Sequence, residues 1–296
     1  HPDVHWLAPA SATGYLADQI RDLIADVNLA PMRAKAKVYI IDRADLLRGT
    51  AANALLKTLE EPPAGVVFVL CGRTVAAMLP TIVSRCQVVP FRVTSPDAAL
   101  QAVLRESGAS EREARVALAV AGTPARACDF LNSTSRRQVR RLVVRTIGEL
   151  ARDDSWDVIK SAGEIVAAVK VPLADIKDAQ DAAVKESSDF LTAAALKAVE
   201  AANKRELTAR ERSGMMEAIA AAESMLRDVL LTCEGVDAAI VNADAADAVA
   251  RISAYASTSG VLAALAACSD AAKHLSRNVS AQLTLEVMLL AIKEAL

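Results

Sequence analysis

The sequence predicts an α/β region followed by a region made only of helices. Three short apolar runs, at residues 38–41, 66–71 and 87–91, alternate with helical patterns, and this alternation favours a parallel sheet. From residue 94 onward, apolar residues recur at helical spacing to the end of the chain. Hydrophobic residues make up 53% of the 296 residues but aromatic residues only 3%, so the cores must consist of Ala, Leu, Val and Ile. That composition suits helix packing.

The elements of the α/β region can be assigned in order. An amphipathic helix at residues 15–27 should pack on the sheet, and the strand after it ends in Asp42. A second helix, at residues 51–61, stops at two prolines, which cannot donate the backbone hydrogen bond that a helix needs. We expect the first two strands to be buried on both faces, as in a sheet that helices cover on either side. The third strand, at 87–91, is entered through Ser84-Arg85-Cys86.

Three features of this region occur together and in a specific order. They are the strand that ends in Asp42, the stretch NALLKTLEEPP at residues 53–63 and the triplet SRC at residues 84–86. In this arrangement the chain resembles the ATPase domain of bacterial clamp-loader subunits, which are members of the AAA+ superfamily.

The resemblance implies a division into domains. We expect a partial RecA-like AAA+ domain at residues 1–93, a small helical lid domain at 94–133 and a helical collar domain for oligomerisation at 134–296. The chain opens without an initiator Met, so we also expect an upstream part that completes the first domain. In the family a four-cysteine zinc module often lies there, and zinc is expected in that part rather than in this chain.

The end of the first strand argues against hydrolysis at this chain's own site. Asp42 stands where a Walker-B carboxylate would approach magnesium, but the Glu that follows it in working ATPases of the family is replaced by Arg43. A guanidinium cannot accept a proton, so it cannot act as a general base. Asp42 is therefore better explained as a cap on the strand-to-helix turn. The replacement favours the delta-prime class of subunit over the gamma/tau motor subunit.

The phosphate loop GxxxxGK[ST], which holds a triphosphate, does not occur in the sequence. We accordingly expect no cofactor to be bound by this chain itself, with ATP and magnesium held at neighbouring subunits.

The SRC triplet predicts a different role for its arginine. In clamp loaders the Arg of this triplet acts as an arginine finger on the γ-phosphate that a neighbouring subunit binds, so the resemblance implies a catalytic role in trans for Arg85. The alternative is a local ion pair with Glu60 or Glu61. Ser84 and Cys86 are assigned to positioning and packing, because neither has the nearby His that would activate a nucleophile.

Helices are predicted at residues 96–107, 110–121 and 124–132, and a polar linker at 132–135. The turn between the last two helices resembles the opening of the sensor-2 helix of the family, with Thr123 as its cap and Arg126 as its arginine. Arg126 would face a nucleotide bound to its own subunit. Since the Glu at position 43 is absent, a vestigial or structural Arg126 is favoured.

The helical region offers two further surfaces. Five arginines give one helix a basic face, which either contacts DNA or an acidic partner or, as we favour, is solvated. A longer helix should bury one apolar side, with its charged residues off that side, and the segment 283–296 should be buried in its own domain or against another chain. The arginines are Arg136, Arg137, Arg140, Arg141 and Arg145; the apolar side is Met215, Ile219, Ala222, Leu226 and Val229; the charged residues are Glu217, Glu223, Arg227 and Asp228.

Charge and cysteine content limit the remaining functions. Lys and Arg total 34 against 36 Asp and Glu, which argues against a free-standing nucleic-acid binder. The five cysteines have no CxxC spacing and are predicted to be reduced core residues, with no metal site. No apolar run is long enough to span a bilayer, so a cytoplasmic protein that does not bind membranes is expected.

The resemblance then implies a subunit of the DNA polymerase III clamp loader that assists ATP-dependent loading of the sliding clamp and has no autonomous activity. Its partners would be the gamma/tau and delta subunits, the clamp and primer-template DNA. The alternatives are an ATP-hydrolysing gamma/tau motor subunit and a scaffolding or helicase-loader-like AAA+ protein.

Overall fold

The chain folds into two compact units, His1–Val93 and Thr94–Leu296. A computed structural model describes residues 1–9, 14–187, 192–236, 240–277 and 279–296. The first unit contains a parallel sheet with helices, and the described part of the second contains helices and no strand. The α/β region followed by an all-α region is thus confirmed.

The first unit is built on three parallel strands in the order β1-β2-β3. Trp6 in the first strand lies beside Ile40 in the second, and Ile40 lies beside Val69 in the third. One helix follows each of the first two strands, as a parallel connection requires. The bounds are β1 Val4–Leu7, α1 Ala17–Val27, β2 Lys37–Ile41, α2 Gly49–Glu60, β3 Val66–Leu70 and α3 Pro80–Val83.

Only one face of this sheet is covered, contrary to the prediction that the strands are buried on both faces. Tyr39 and Ile41 are buried against α1 and α2, because both helices pack on the same side and contact each other. On the other side Trp6 is 64% exposed, and Val67 and Val69 are also exposed. Within the described residues no second layer lies over this face.

The predicted strand at residues 87–91 is wrong. These residues form no strand, and Phe91 is 93% exposed. A strand forms where a neighbouring strand pairs with its backbone N–H and C=O groups. Among the described residues β3 pairs only with β2, so no strand pairs with the other edge of β3. The sheet has β1, Val4–Leu7, in its place. The sequence analysis did not identify β1, because its run is short and contains His5.

The second unit surrounds one continuous hydrophobic cluster with contributions from its first helix to its last. The lid and collar domains are not distinguished as separate units, so their boundary at 133/134 stays a prediction. The polar linker at 132–135 is wrong, since Ser133 alone separates two helices. The bounds are α4 Pro96–Ser107, α5 Glu111–Ala121, α6 Pro124–Asn132, α7 Thr134–Glu149, α8 Ser155–Ser187, α9 Ala193–Cys233, α10 Ala246–Ser253, α11 Thr258–Ser276 and α12 Ala281–Ala295.

Two helix faces differ from the prediction. The apolar side of α9 is buried as expected, but Glu217 and Asp228, placed off that side, are buried too because they accept hydrogen bonds from other helices and loops. In α12, Leu283 and Val287 are about half exposed, so the segment 283–296 is buried on one side only within its unit. No helix in the described ranges is both long and apolar enough to cross a membrane.

Candidate functional site

The SRC triplet lies in a turn that a short helix holds against the core of the first unit. Ile82, in α3, is fully buried and anchors that helix. The backbone N–H of Ser84 donates to the carbonyl of Pro80 at 2.9 Å, and that of Arg85 donates to the carbonyl of Ile82 at 3.0 Å. The backbone of the triplet is therefore fixed, and Arg85 projects from a defined position.

Arg85 forms a local ion pair with Glu60, which the sequence analysis gave as the alternative to an arginine finger. Its Nε donates to Oε1 of Glu60 at 2.6 Å, and its Nη2 contacts the same oxygen. Its Nη1 donates to the carbonyl of Thr81 at 2.8 Å and lies 3.3 Å from Oγ of Ser84. The guanidinium is thus held on two sides by groups of its own subunit.

These contacts do not use every donor of Arg85. A guanidinium has five N–H groups, and Nη2 donates only to Glu60 among the described residues. The Arg85 side chain is 31% exposed and lines an open pocket with Leu59, Glu60 and Ser84. One N–H of Nη2 is consequently left without an acceptor among the described residues, in a side chain that lines this open pocket.

Ser84 and Cys86 have surroundings that suit positioning and packing. Oγ of Ser84 donates to the carbonyl of Thr81 at 3.2 Å, so its proton already has an acceptor. Cys86 packs against the hydrophobic cluster, and burial raises the pKa of its thiol above the ordinary value of 9.0. A thiol with a raised pKa is a poor nucleophile.

At the end of β2, Asp42 closes a turn. Its Oδ1 accepts a hydrogen bond from the backbone N–H of Arg43 at 2.9 Å, and Arg43 adopts a left-handed conformation with φ of 47°. Tyr15 fixes the same corner, because its hydroxyl shares one proton between the carbonyl of Leu7, at 2.9 Å, and the carbonyl of Asp42. The Asp42 side chain thus bonds within the turn after β2, and its role as a cap stays a prediction.

Arg126 belongs to an ion cluster in the second unit. Its Nη2 donates to Oγ of Ser213 at 2.8 Å and to Oε1 of Glu217 at 3.1 Å. Arg136 binds the same carboxylate, with its Nε 2.8 Å from Oε2. These contacts hold Arg126 against α9, and its structural rather than nucleotide-facing role stays a prediction. Thr123 is the N-cap residue of α6 and Pro124 its first residue, as predicted, although the Thr123 side chain accepts no hydrogen bond there.

The basic face of α7 was predicted either to contact DNA or an acidic partner or to be solvated, and neither prediction holds for all of its arginines. Arg140 is buried and donates to Oδ2 of Asp244 at 2.6 Å and to Oδ1 of Asn242 at 2.7 Å, while Arg136 pairs with Glu217. Arg140 is therefore neither solvated nor available to DNA, whereas Arg136 is 27% exposed but is held by Glu217. Their helical spacing could not reveal this, because the carboxylates that bind them lie some 80 to 100 residues further along the chain.

The sequence analysis missed the acceptors of these arginines and a buried carboxylate in the first unit. Asp45 is almost fully buried, and its Oδ2 lies 3.2 Å from Nη2 of Arg73. Nothing in its local pattern marked it, since it follows Asp42-Arg43 in what reads as a polar turn.

The cysteines and the metal prediction can be compared with the structure only in part. Cys128 and Cys268 are buried as predicted, whereas Cys71 is exposed because it follows the last residue of β3 at the edge of the sheet. In the ranges that the structure describes, no three His, Cys, Asp or Glu side chains are grouped as metal ligands. The prediction that zinc belongs to an upstream part stays a prediction.

Comparison with known proteins agrees with the resemblance. Residues 1–95 match the model of the family "DNA polymerase III, delta subunit". The chain is 38% identical to the DNA polymerase III subunit delta' of Haemophilus influenzae over 40% of this chain and 37% of that protein. It is 32% identical to the delta' subunit of Pseudomonas aeruginosa over 54% of this chain and 52% of that protein.

A tau subunit also matches, but over less of its length. The chain is 46% identical to the DNA polymerase III subunit tau of Bacillus subtilis over 31% of this chain and 16% of that protein. The chain thus spans about half or less of the length of the relatives that it matches. Its resemblance to clamp-loader subunits, and to delta' in particular, is confirmed.

Proposed function

We propose that this chain is part of a delta-prime-type clamp-loader subunit that hydrolyses no ATP itself and supplies Arg85 to an ATP site on a neighbouring subunit. ATP and magnesium would be held by that neighbour, which we expect to be a gamma or tau subunit. The complex would load the sliding clamp onto primer-template DNA. Assembly with gamma/tau and delta would use helices of the second unit.

One observation carries the catalytic part of this proposal. Arg85 lines an open pocket, is held in place by its own subunit and keeps an N–H of Nη2 without a partner among the residues described. An arginine presented in trans stabilises the charge that develops on a transferring phosphoryl group. Arg43 supports the other half of the proposal, because it replaces the residue that would activate water at this chain's own site.

The first test replaces the arginine in a reconstituted clamp loader that contains the full-length protein. Arg85→Ala should leave assembly intact and lower the DNA-stimulated ATPase rate by about tenfold or more. Arg92→Ala is the matched control, because Arg92 is exposed and has no partner among the residues described. An Arg85→Ala complex that assembles and hydrolyses ATP at the wild-type rate would refute the catalytic role.

The two alternatives predict different results. A motor subunit must bind ATP in its own site, which a binding assay on the full-length protein with a fluorescent ATP analogue would detect. A scaffolding or helicase-loader-like protein would not copurify with the other clamp-loader subunits. Sequence similarity to delta' and the replacement at Arg43 favour our proposal over both.

A further inference from the structure

We infer that Glu60 is a positioning residue, whose carboxylate holds the guanidinium of Arg85 in the orientation in which it meets a neighbour's phosphate. This inference rests on the proposed function, since it concerns the same arginine. It assigns a role to the acidic end of the LEEPP stretch, which the sequence analysis treated only as a helix terminus and a possible ion-pair partner.

The position of Glu60 in the fold makes it a rigid support. It is the last residue of α2, directly after Leu59, which is buried in the hydrophobic cluster. Two prolines follow Glu61 and prevent the helix from extending. The backbone that carries the carboxylate is therefore fixed relative to the core on which α3 and the SRC turn are also anchored.

The contacts of Arg85 show what the support does. Glu60 accepts from Nε and Nη2, while the carbonyl of Thr81 accepts from Nη1 at 2.8 Å. A planar guanidinium that is held at both of these positions has little freedom to rotate. The ordering of a long arginine side chain, which costs conformational entropy, is thus completed before a neighbouring subunit approaches.

A carboxylate beside Arg85 could also lower the ATPase rate instead of raising it. Its carboxylate neutralises part of the charge of Arg85 and could compete with a phosphate for the same donors. The free N–H of Nη2 and the partial exposure of the guanidinium argue against this, because a phosphate can bind without displacing Glu60. The two roles predict opposite changes in rate when the carboxylate is removed.

Glu61 provides a matched control at the adjacent position. It is exposed, and it has no hydrogen bond or ion pair through its side chain in the described part of the chain. Glu60→Gln and Glu61→Gln remove the same charge from neighbouring positions without changing the size of the side chain. A general effect of charge on assembly or on DNA binding would appear in both variants.

The experiment measures steady-state ATPase of the reconstituted clamp loader with the full-length protein. We expect Glu60→Gln to lower kcat by about three- to tenfold while KM for ATP is unchanged, because the neighbour holds the nucleotide. Glu61→Gln should match the wild type. Glu60→Gln should add no further loss to Arg85→Ala, because a positioning residue acts only through the group that it positions.

The outcomes separate this inference from the proposed function. Should Arg85→Ala itself leave the rate unchanged, the proposed function fails. Suppose instead that the Arg85→Ala complex hydrolyses ATP slowly. The positioning role alone is then overturned if the Glu60→Gln complex hydrolyses ATP as fast as the wild type or faster. It is also overturned if Glu61→Gln loses as much of the ATPase rate as Glu60→Gln.

A second measurement does not depend on assembly. Side-chain relaxation of Nε–H of Arg85 by NMR in the free full-length protein should show an ordered group in the wild type and a mobile one in Glu60→Ala, which removes the acceptor oxygen. Equal order in both proteins would overturn the inference.

Discussion

At the scale of single residues, buried carboxylates organise the second unit. Glu217, whose side chain is 8% exposed, accepts hydrogen bonds from Arg126 and Arg136, which come from two different helices. Asp228 similarly receives the backbone N–H groups of Val241 and Asn242, at 3.2 and 2.7 Å. Each carboxylate fixes a distant segment to α9, because a buried charge must be matched by donors where it lies.

The Glu217 cluster can be tested by removing its acceptor. Glu217→Ala leaves Arg136 and Arg126 without their shared partner, and we expect the free energy of unfolding to fall by about 2–3 kcal/mol, less than for a fully buried pair because both arginines are partly exposed. Glu223→Ala, on the exposed side of the same helix, should change it by no more than about 0.5 kcal/mol. Urea denaturation measures both. Equal losses would show that the cluster has no special role.

At the scale of elements, periodicity predicted the helices well and the strands less well. The helices at 96–107 and 124–132 have the predicted bounds, because Ser95, Pro124 and the glycines that follow α4 and α5 are local signals. The strand at 87–91 could not be predicted correctly, since strand formation depends on a neighbour that local sequence does not reveal. The ion pair between Arg85 and Glu60 was foreseen only as an alternative, because it joins residues 25 positions apart.

Two glycines in the long helices α8 and α9 should respond oppositely to the same substitution. A Cβ at Gly163 would meet no atom within 4 Å, so Gly163→Ala should stabilise the protein by about 0.5–1 kcal/mol through helix propensity. A Cβ at Gly214 would lie 2.6 Å from Cγ1 of the buried Val169, so Gly214→Ala should destabilise it by about 1–3 kcal/mol. Thermal unfolding compares them. A stabilising Gly214→Ala would contradict the close approach of α8 and α9.

At the scale of the whole molecule, the first unit presents surfaces that call for further contacts. Parallel sheets normally have both faces covered, yet one face of this sheet is apolar and open in the described structure. At another place on the same unit, Arg85 is held by Glu60 but keeps one N–H of Nη2 without a partner among the described residues. Both features fit the shared active site that we propose.

That claim is tested most directly by the affinity of the assembled complex for a mimic of the transition state. ADP with aluminium fluoride resembles the transferring phosphoryl group, whereas a non-hydrolysable ATP analogue resembles the ground state. We predict that Arg85→Ala weakens binding of ADP–aluminium fluoride at one site of the complex by about tenfold or more and leaves binding of the ATP analogue unchanged. Equal affinities of the wild-type and Arg85→Ala complexes for both ligands would contradict the role in trans that we propose for Arg85.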